Sequence, residues 1–174
     1  MIRPLTNPDI PRIAEIHIFG QRQAYRGHVP DDILFGKMNV AKRIKYFDTN
    51  AFDGYVYDDG IIKAFTTMAP CQGVDKPHSF ELLRIFVDPF MQGQGIGQKM
   101  ADHFEQRAAR QGYTDLCIWA LECNTSAAAF YEKLGYQKDG ARKISGYFNV
   151  PEIRFSRRLT CTTSAPQPHP TPPA

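Results

Sequence analysis

Three glycines fall within six residues at Gln92-Gly93-Gln94-Gly95-Ile96-Gly97, directly after the apolar run Leu82-Leu83-Arg84-Ile85-Phe86-Val87 and directly before an amphipathic helical pattern. A strand that runs through a glycine turn into a helix start can bind an anion. Without Cβ atoms the backbone N–H groups approach phosphate oxygens closely, and the helix N-terminus adds its dipole. The P-loop form of this device is excluded, because no Lys-Ser or Lys-Thr follows the last glycine. The dinucleotide-binding form fits poorly. The strand comes late, after a hairpin signal, and the next strand ends Ala120-Leu121 without the acidic residue such folds carry. A plain structural turn is the alternative, although so many glycines cost chain entropy without packing gain. A reactive group precedes the turn. By strict alternation Glu81, Leu83, Ile85 and Val87 share one face of the strand, and Arg84 points to the other as a structural residue. A carboxylate on an otherwise apolar face is costly unless it is used or paired. Glu81 is therefore a candidate base, with an exposed strand end as the alternative reading.

The elements that must position these groups can be read from periodicity and punctuation. Residues 1–6 suggest a short strand, followed by a helix capped at Thr6 or Asn7 that fades near Arg26-Gly27. Pro30-Asp31-Asp32 starts another short helix, and Val40 to Phe47 carries a third. Tyr55-Val56-Tyr57 and Ile61 to Met68 are β-rich and joined by Asp58-Asp59-Gly60, a hairpin signal. Residues 69–78 read as a loop and 80–87 as the strand before the turn. Ile96, Met100, Phe104 and Ala108 form an apolar helical stripe that Gly112 stops. A buried strand over Leu116 to Leu121, a helix over Thr125 to Leu134 stopped by Gly135, and strands near 136–144 and 152–159 complete the series. Strand–helix–strand order in the second half implies a parallel crossover, and the hairpin implies antiparallel neighbours. The expectation is a mixed, twisted α/β sheet with helices on both faces. Residues 1–159 form its domain. The tail 160–174, rich in Pro, Ser and Thr, lacks the apolar residues to order itself and is expected to be flexible.

A second motif follows the turn by one strand: Asn124-x-x-Ala127-x-x-Phe130-Tyr131-Glu132-x-Leu134-Gly135-Tyr136. The two motifs together, in this order and spacing, resemble the GNAT superfamily of N-acetyltransferases. The likeness runs from about residue 1 to 159. The segments Ile16-His17, Ala24-Tyr25-Arg26-Gly27 and Pro151-Glu152-Ile153-Arg154-Phe155 resemble a bacterial subgroup of mostly unassigned substrate.

The resemblance implies a mostly antiparallel sheet with a splayed parallel central pair, and acetyl-coenzyme A in the gap between the strands at 82–87 and 116–121. Its pyrophosphate would lie on backbone N–H groups of Gln92, Gly93, Gln94, Gly95, Ile96, Gly97 and Gln98, with Lys99 as an outer contact. The turn offers glutamines where a cation could stand, so backbone dipoles would carry the binding. The pantetheine arm would add to the backbone of Ile85, Phe86 and Val87 like an extra strand, and Asn124 would bond it from the other side. Transfer to an amine needs a base, a donor for the carbonyl oxygen, and an acid for the leaving thiolate. The resemblance assigns the acid to Tyr131, whose spacing fits a core tyrosine equally well. It supports Glu81 as base and suggests the Val87 N–H as the carbonyl donor. Tyr25, Arg26 and Glu152 are acceptor-site candidates. His17 reads as a core histidine before a ligand, and Cys123 has no partner arrangement for covalent catalysis.

The bulk numbers are compatible with this reading and exclude others. The chain has 174 residues, 43% hydrophobic and 22% charged, as in an ordinary globular domain. A net charge of +3 is too small to imply a nucleic-acid partner. No apolar run suits a membrane span or a signal peptide. Cys71, Cys117, Cys123 and Cys161 show no metal-binding spacing, so no metal is implied, and they read as reduced thiols of a cytoplasmic protein. The expected partner is a small-molecule amine, and a homodimer is common among look-alikes. The rival reading is a non-catalytic acyl-CoA-binding regulator on the same fold, which would lack the acid and the base.

Overall fold

The computed structural model describes residues 1–50, 52–73 and 75–159, so the tail over 160–174, Cys161 included, lies outside the described residues. Strands β1 (Ile2–Pro4), β2 (Asp53–Asp58), β3 (Ile62–Pro70), β4 (Ser79–Val87), β5 (Asp115–Leu121), β6 (Gln137–Ile144) and β7 (Pro151–Arg158) form one sheet in the order β1-β2-β3-β4-β5-β7-β6. Helices α1 (Ile10–Tyr25), α2 (Val40–Thr49), α3 (Ile96–Arg110) and α4 (Thr125–Lys133) pack on it. A π-type turn over Asp32–Lys37 joins α1 to α2. Every neighbouring strand pair is antiparallel except β4 and β5, which α3 connects in a parallel crossover.

The helix starts follow from local chemistry. Before α1, the Thr6 N–H and hydroxyl both donate to the Asp9 carboxylate, at 2.8 and 2.9 Å, with Pro8 in the first turn. Asn39 caps α2 and Asn124 caps α4, each side-chain oxygen accepting a backbone N–H, from Lys42 at 2.9 Å and from Ala127 at 3.1 Å. The hairpin turn at Asp58-Asp59-Gly60 is also present, with the Gly60 N–H donating to Asp58 Oδ1 at 3.0 Å. One boundary differs from the sequence reading. β3 continues through Ala69 and Pro70, which pair with Glu81 and Phe80, so the expected loop is shorter at its start. Proline is tolerated there because it is the last residue of the strand.

Each face of the sheet buries its own core. On one face Met68, Phe80, Leu82, Leu116, Ile118 and Phe155 pack against Phe104 of α3 and Tyr131 of α4. On the other, Val56 and Phe65 pack against Ile10, Ile13, Ala14 and Ile16 of α1 and Phe47 of α2. Among the described residues no helix is long and apolar enough to cross a membrane.

Candidate active site

β4 and β5 pair at three positions only, Ser79 with Asp115, Phe80 with Leu116 and Glu81 with Cys117. Beyond Glu81 and Cys117 the two strands part, and the upper halves, Leu82–Val87 and Ile118–Leu121, pair only with their outer neighbours β3 and β7. A groove of about 770 Å³ opens above this fork. Ile85, Phe86 and Val87 line it on one side, Asn124, Phe130 and Tyr131 on the other, with Gly20, Gln23 and Ala24 of α1 across one mouth. The β4 edge, the glycine turn, Asn124 and Tyr131 are therefore brought to one place. Of residues 92–98, all but Gln94 line the groove. Gln94 points instead to Met91 Sδ at 3.9 Å.

The glycines of the turn do different jobs. Gly95 is the N-cap of α3 with φ of 71°, a left-handed conformation, and a Cβ there would meet nothing within 4 Å because it would project into open space. Gly97 lies inside α3 close to both Phe130 and Val87: a Cβ would stand 3.4 Å from Phe130 and 3.7 Å from Val87, in ordinary contact with each. The start of α3 therefore lies close to both walls of the groove. The first intrahelical bond is from Lys99 N–H to the Gly95 carbonyl at 3.2 Å, so the N–H groups of the preceding turn have no partner within the helix. Lys99 lies over the Tyr57 ring at 5.6 Å.

Tyr131 is 7% exposed, packed 5.5 Å from Phe155 and 6.4 Å from Tyr136 by ring centroids, yet it reaches the groove wall. Its ring is part of the core beside α3 and α4, and the residue also lines the groove. Burial, and after it the nearby Tyr25, push its pKa up, so the phenol keeps its proton at neutral pH. Tyr25 is itself buried, pushed up to about 12 by desolvation, and its hydroxyl meets Asn124. It therefore sits between the groove and the face bearing Glu152. Cys123 also lines the groove, but burial raises its pKa, which favours the thiol over the nucleophilic thiolate. Arg26 is exposed just past α1 and is not among the groove residues.

The alternation expected along β4 fails at one residue. Thr67 pairs with Arg84, and the next residue, Met68, pairs with Leu82, so Leu83 is an unpaired bulge. The extra residue reverses the side-chain order above it. Phe80, Leu82, Ile85 and Val87 face α3, opposite Pro70, Met68, Thr66 and Ala64. Glu81, Arg84 and Phe86 share the α1 and α2 face, opposite Ala69, Thr67 and Phe65. Glu81 thus does not share a face with Ile85 and Val87, and Arg84 is on its side of the sheet.

Glu81 is half-buried, and its pKa is raised chiefly by that burial, with Lys143 and a hydrogen bond from Cys71 working the other way. Its carboxylate and the thiols of Cys71 and Cys117 lie within 4.8 Å of one another. The spacing of the cysteines could not reveal this group, since its members come from the end of β3, from β4 and from β5. Glu152, opposite Leu121, shares the face and pairs with Lys143 at 3.5 Å. Arg154, 5% exposed, is held between Asp75 at 2.5 Å and Asp139 at 2.7 Å. His17 is 2% exposed among Phe47, Phe65 and Phe86, and burial holds its pKa well below the usual value.

A parallel strand pair that splays beside a glycine turn and a capping asparagine is the arrangement the two sequence motifs imply. The model of the Acetyltransferase (GNAT) family matches residues 11–136, well over half of the chain. The chain belongs to the GNAT acetyltransferase family. Curated GNAT-type relatives are distant. An uncharacterized N-acetyltransferase of Methanocaldococcus jannaschii is 27% identical over 79% of this chain and 60% of its own length. N-acetyltransferase 8F1 of Rattus norvegicus is 30% identical over 55% of this chain and 42% of its own. This chain therefore spans about half the length of these relatives. The fold is shared with the PaiA N-acetyltransferase of Thermoplasma acidophilum in complex with coenzyme A, at a TM-score of 0.67 and 14% identity over 91% of this chain and 98% of that one. It is also shared with yncA of Salmonella typhimurium with its cofactor acetyl-CoA, at a TM-score of 0.65 and 15% identity over 100% of this chain and 98% of that one.

Proposed function

We propose that this protein is an acetyl-CoA-dependent N-acetyltransferase that moves an acetyl group to a primary amine by direct attack in a ternary complex. The observation that carries the reading is the fork. The strand edge of Ile85–Val87 lacks a partner on one side, and it leads to the glycine turn at one end and to Glu81 at the other. Relatives on this fold hold coenzyme A or acetyl-CoA. In this chain the pantetheine arm adds to the open edge of β4, and the pyrophosphate lies on the N–H groups of residues 92–98.

An unperturbed amine has a pKa of about 10.4, so it arrives protonated and must lose a proton before it attacks. Glu81, on the α1 and α2 face, takes that proton directly or through water. The amine nitrogen then bonds to the thioester carbon, the Val87 N–H stabilises the carbonyl oxygen, and the C–S bond breaks. The sulfur takes its proton from Tyr131, which belongs to the opposite face of the sheet. Base and acid thus approach the thioester from the two sides of the fork, and solvent restores both. A small or amino-acid-like amine is favoured over a protein N-terminus. The test is release of free thiol from acetyl-CoA across amines, amino acids, aminoglycosides and short peptides, with wild type and Tyr131→Phe side by side. Thiol release with one acceptor class, lost in the variant, is expected. Tight acetyl-CoA binding without turnover on any acceptor would instead favour a non-catalytic acyl-CoA-binding regulator.

A further inference from the structure

The face of the sheet that carries Glu81 also carries two arginines without an acidic partner. Arg3, Arg12, Arg107, Arg142, Arg154 and Arg157 each meet a carboxylate, whereas Arg22 donates to backbone carbonyls. What sets Arg43 and Arg84 apart is that they share an aromatic neighbour on the face of the candidate base. Arg84 donates only to neutral oxygens, Thr67 Oγ1 at 3.2 Å and the Tyr46 hydroxyl at 3.0 Å. Its guanidinium also lies 5.5 Å from the Tyr46 ring centre and 5.3 Å from that of Phe52. Arg43, projecting from α2, lies 5.2 Å from the same Tyr46 ring. Both guanidinium groups therefore lie against one tyrosine ring. Among the described residues neither arginine makes an ion pair.

Two half-buried like charges held together are costly unless an anion joins them. The strain registers on Arg43, whose pKa is lowered by burial and then by Arg84. The charges of both arginines, after burial, also disfavour the protonated form of His17, whose buried Nδ1 has no hydrogen-bond partner. The site is close to the proposed base. Glu81 and Arg84 stand opposite Ala69 and Thr67, two residues apart on β3, hence about 7 Å along the strand. Two long side chains can close that span onto the ammonium and carboxylate of one compact molecule.

We infer that Arg43 and Arg84 bind a carboxylate of the acceptor, so that the acetylated amine belongs to an anionic, amino-acid-like molecule. This rests on the acetyltransferase reading. Planar guanidinium forks match a carboxylate bidentately, while Glu81 and Glu152 receive the cationic end. The acceptor supplies the charge that the two arginines lack in the chain itself.

Matched acceptor pairs test it: amino acids against their carboxamides and against the amines that lack the carboxyl group, in the thiol-release assay. The acid members are expected to show kcat/KM at least 10-fold higher. Arg43→Gln and Arg84→Gln should raise KM for the acid members by 10-fold or more. Arg43→Lys should do so less, and KM for acetyl-CoA should hold in all three. Should Arg84→Gln fail to fold for loss of its aromatic contacts, Arg43→Gln decides. Equal use of acids and carboxamides, or equal loss on both in Arg43→Gln, would overturn the inference and leave the acetyltransferase standing. Acetyl-CoA binding with no turnover of any pair would remove the activity and this inference with it.

Discussion

β4 has two sides that meet different fates. Toward β3 it is paired from Phe80 to Val87 with one bulge, and toward β5 it is paired only as far as Glu81. Below the fork the two strands are paired, and the Phe80 ring packs on the α3 face, stacked on Phe104 at 5.7 Å and on Tyr113 at 4.9 Å. Above it the same strand presents an unpaired edge to a groove. Unpaired strand edges are liabilities that proteins cover or use. Here the edge leads into the glycine turn, and in the proposed reading the contrast separates a half that holds the fold from a half that receives the cofactor.

The largest expected effect belongs to the open half. Gly95→Glu puts a side chain on a left-handed residue and a negative charge in the phosphate cradle, and calorimetry should find coenzyme A binding abolished. Retained micromolar affinity would break the contrast at its upper end. Next, Tyr131→Phe should slow turnover ~10²–10⁴-fold with little change in acetyl-CoA affinity, as expected for loss of one proton donor. Unchanged turnover would return Tyr131 to the core alone. The closed half should answer in stability. Phe80→Ala is expected to cost about 3–5 kcal/mol in urea unfolding, because its ring is 1% exposed. The smallest effect on stability is at the fork itself. Native Glu81 has a pKa above its ordinary 4.5, so it binds its proton more tightly than the unfolded chain does. Stability should therefore fall as pH rises through the window above about 4.5, and Glu81→Gln should flatten that slope. In the rate profile, the acid limb should lie above the ordinary carboxylate range and vanish in the same variant. A slope and limb unchanged in Glu81→Gln would remove Glu81 as base.

The parts of the site made from contiguous residues were legible in the chain. The glycine turn and the helix that carries Tyr131 each sit within one contiguous segment, where local rules act, whereas the capping role of Asn124 was not read from the sequence. Element order followed for the same reason, from helical stripes and hairpin punctuation. The bulge at Leu83 was not legible, because no Gly or Pro marks it and it exists only relative to the register of β3. That single residue misplaced the face of Glu81. The Cys71–Glu81–Cys117 group and the Arg43–Arg84 pair were hidden for a related cause. Their members are distant in sequence and meet only through strand pairing and helix docking. Gly20 offered a weak signal. A glycine inside α1 costs helix stability, and a Cβ there would lie 2.7 Å from Phe86, so the residue marks the close approach of α1 to the groove.

Amide hydrogen exchange with and without acetyl-CoA tests most directly the claim that the ligand completes the open edge of β4. The account predicts new protection at Ile85–Val87, at residues 92–98 and around Asn124, with none added at Ser79–Glu81, where β5 already pairs. Protection spread evenly along β4, or absent from its upper half while acetyl-CoA is bound, would contradict it.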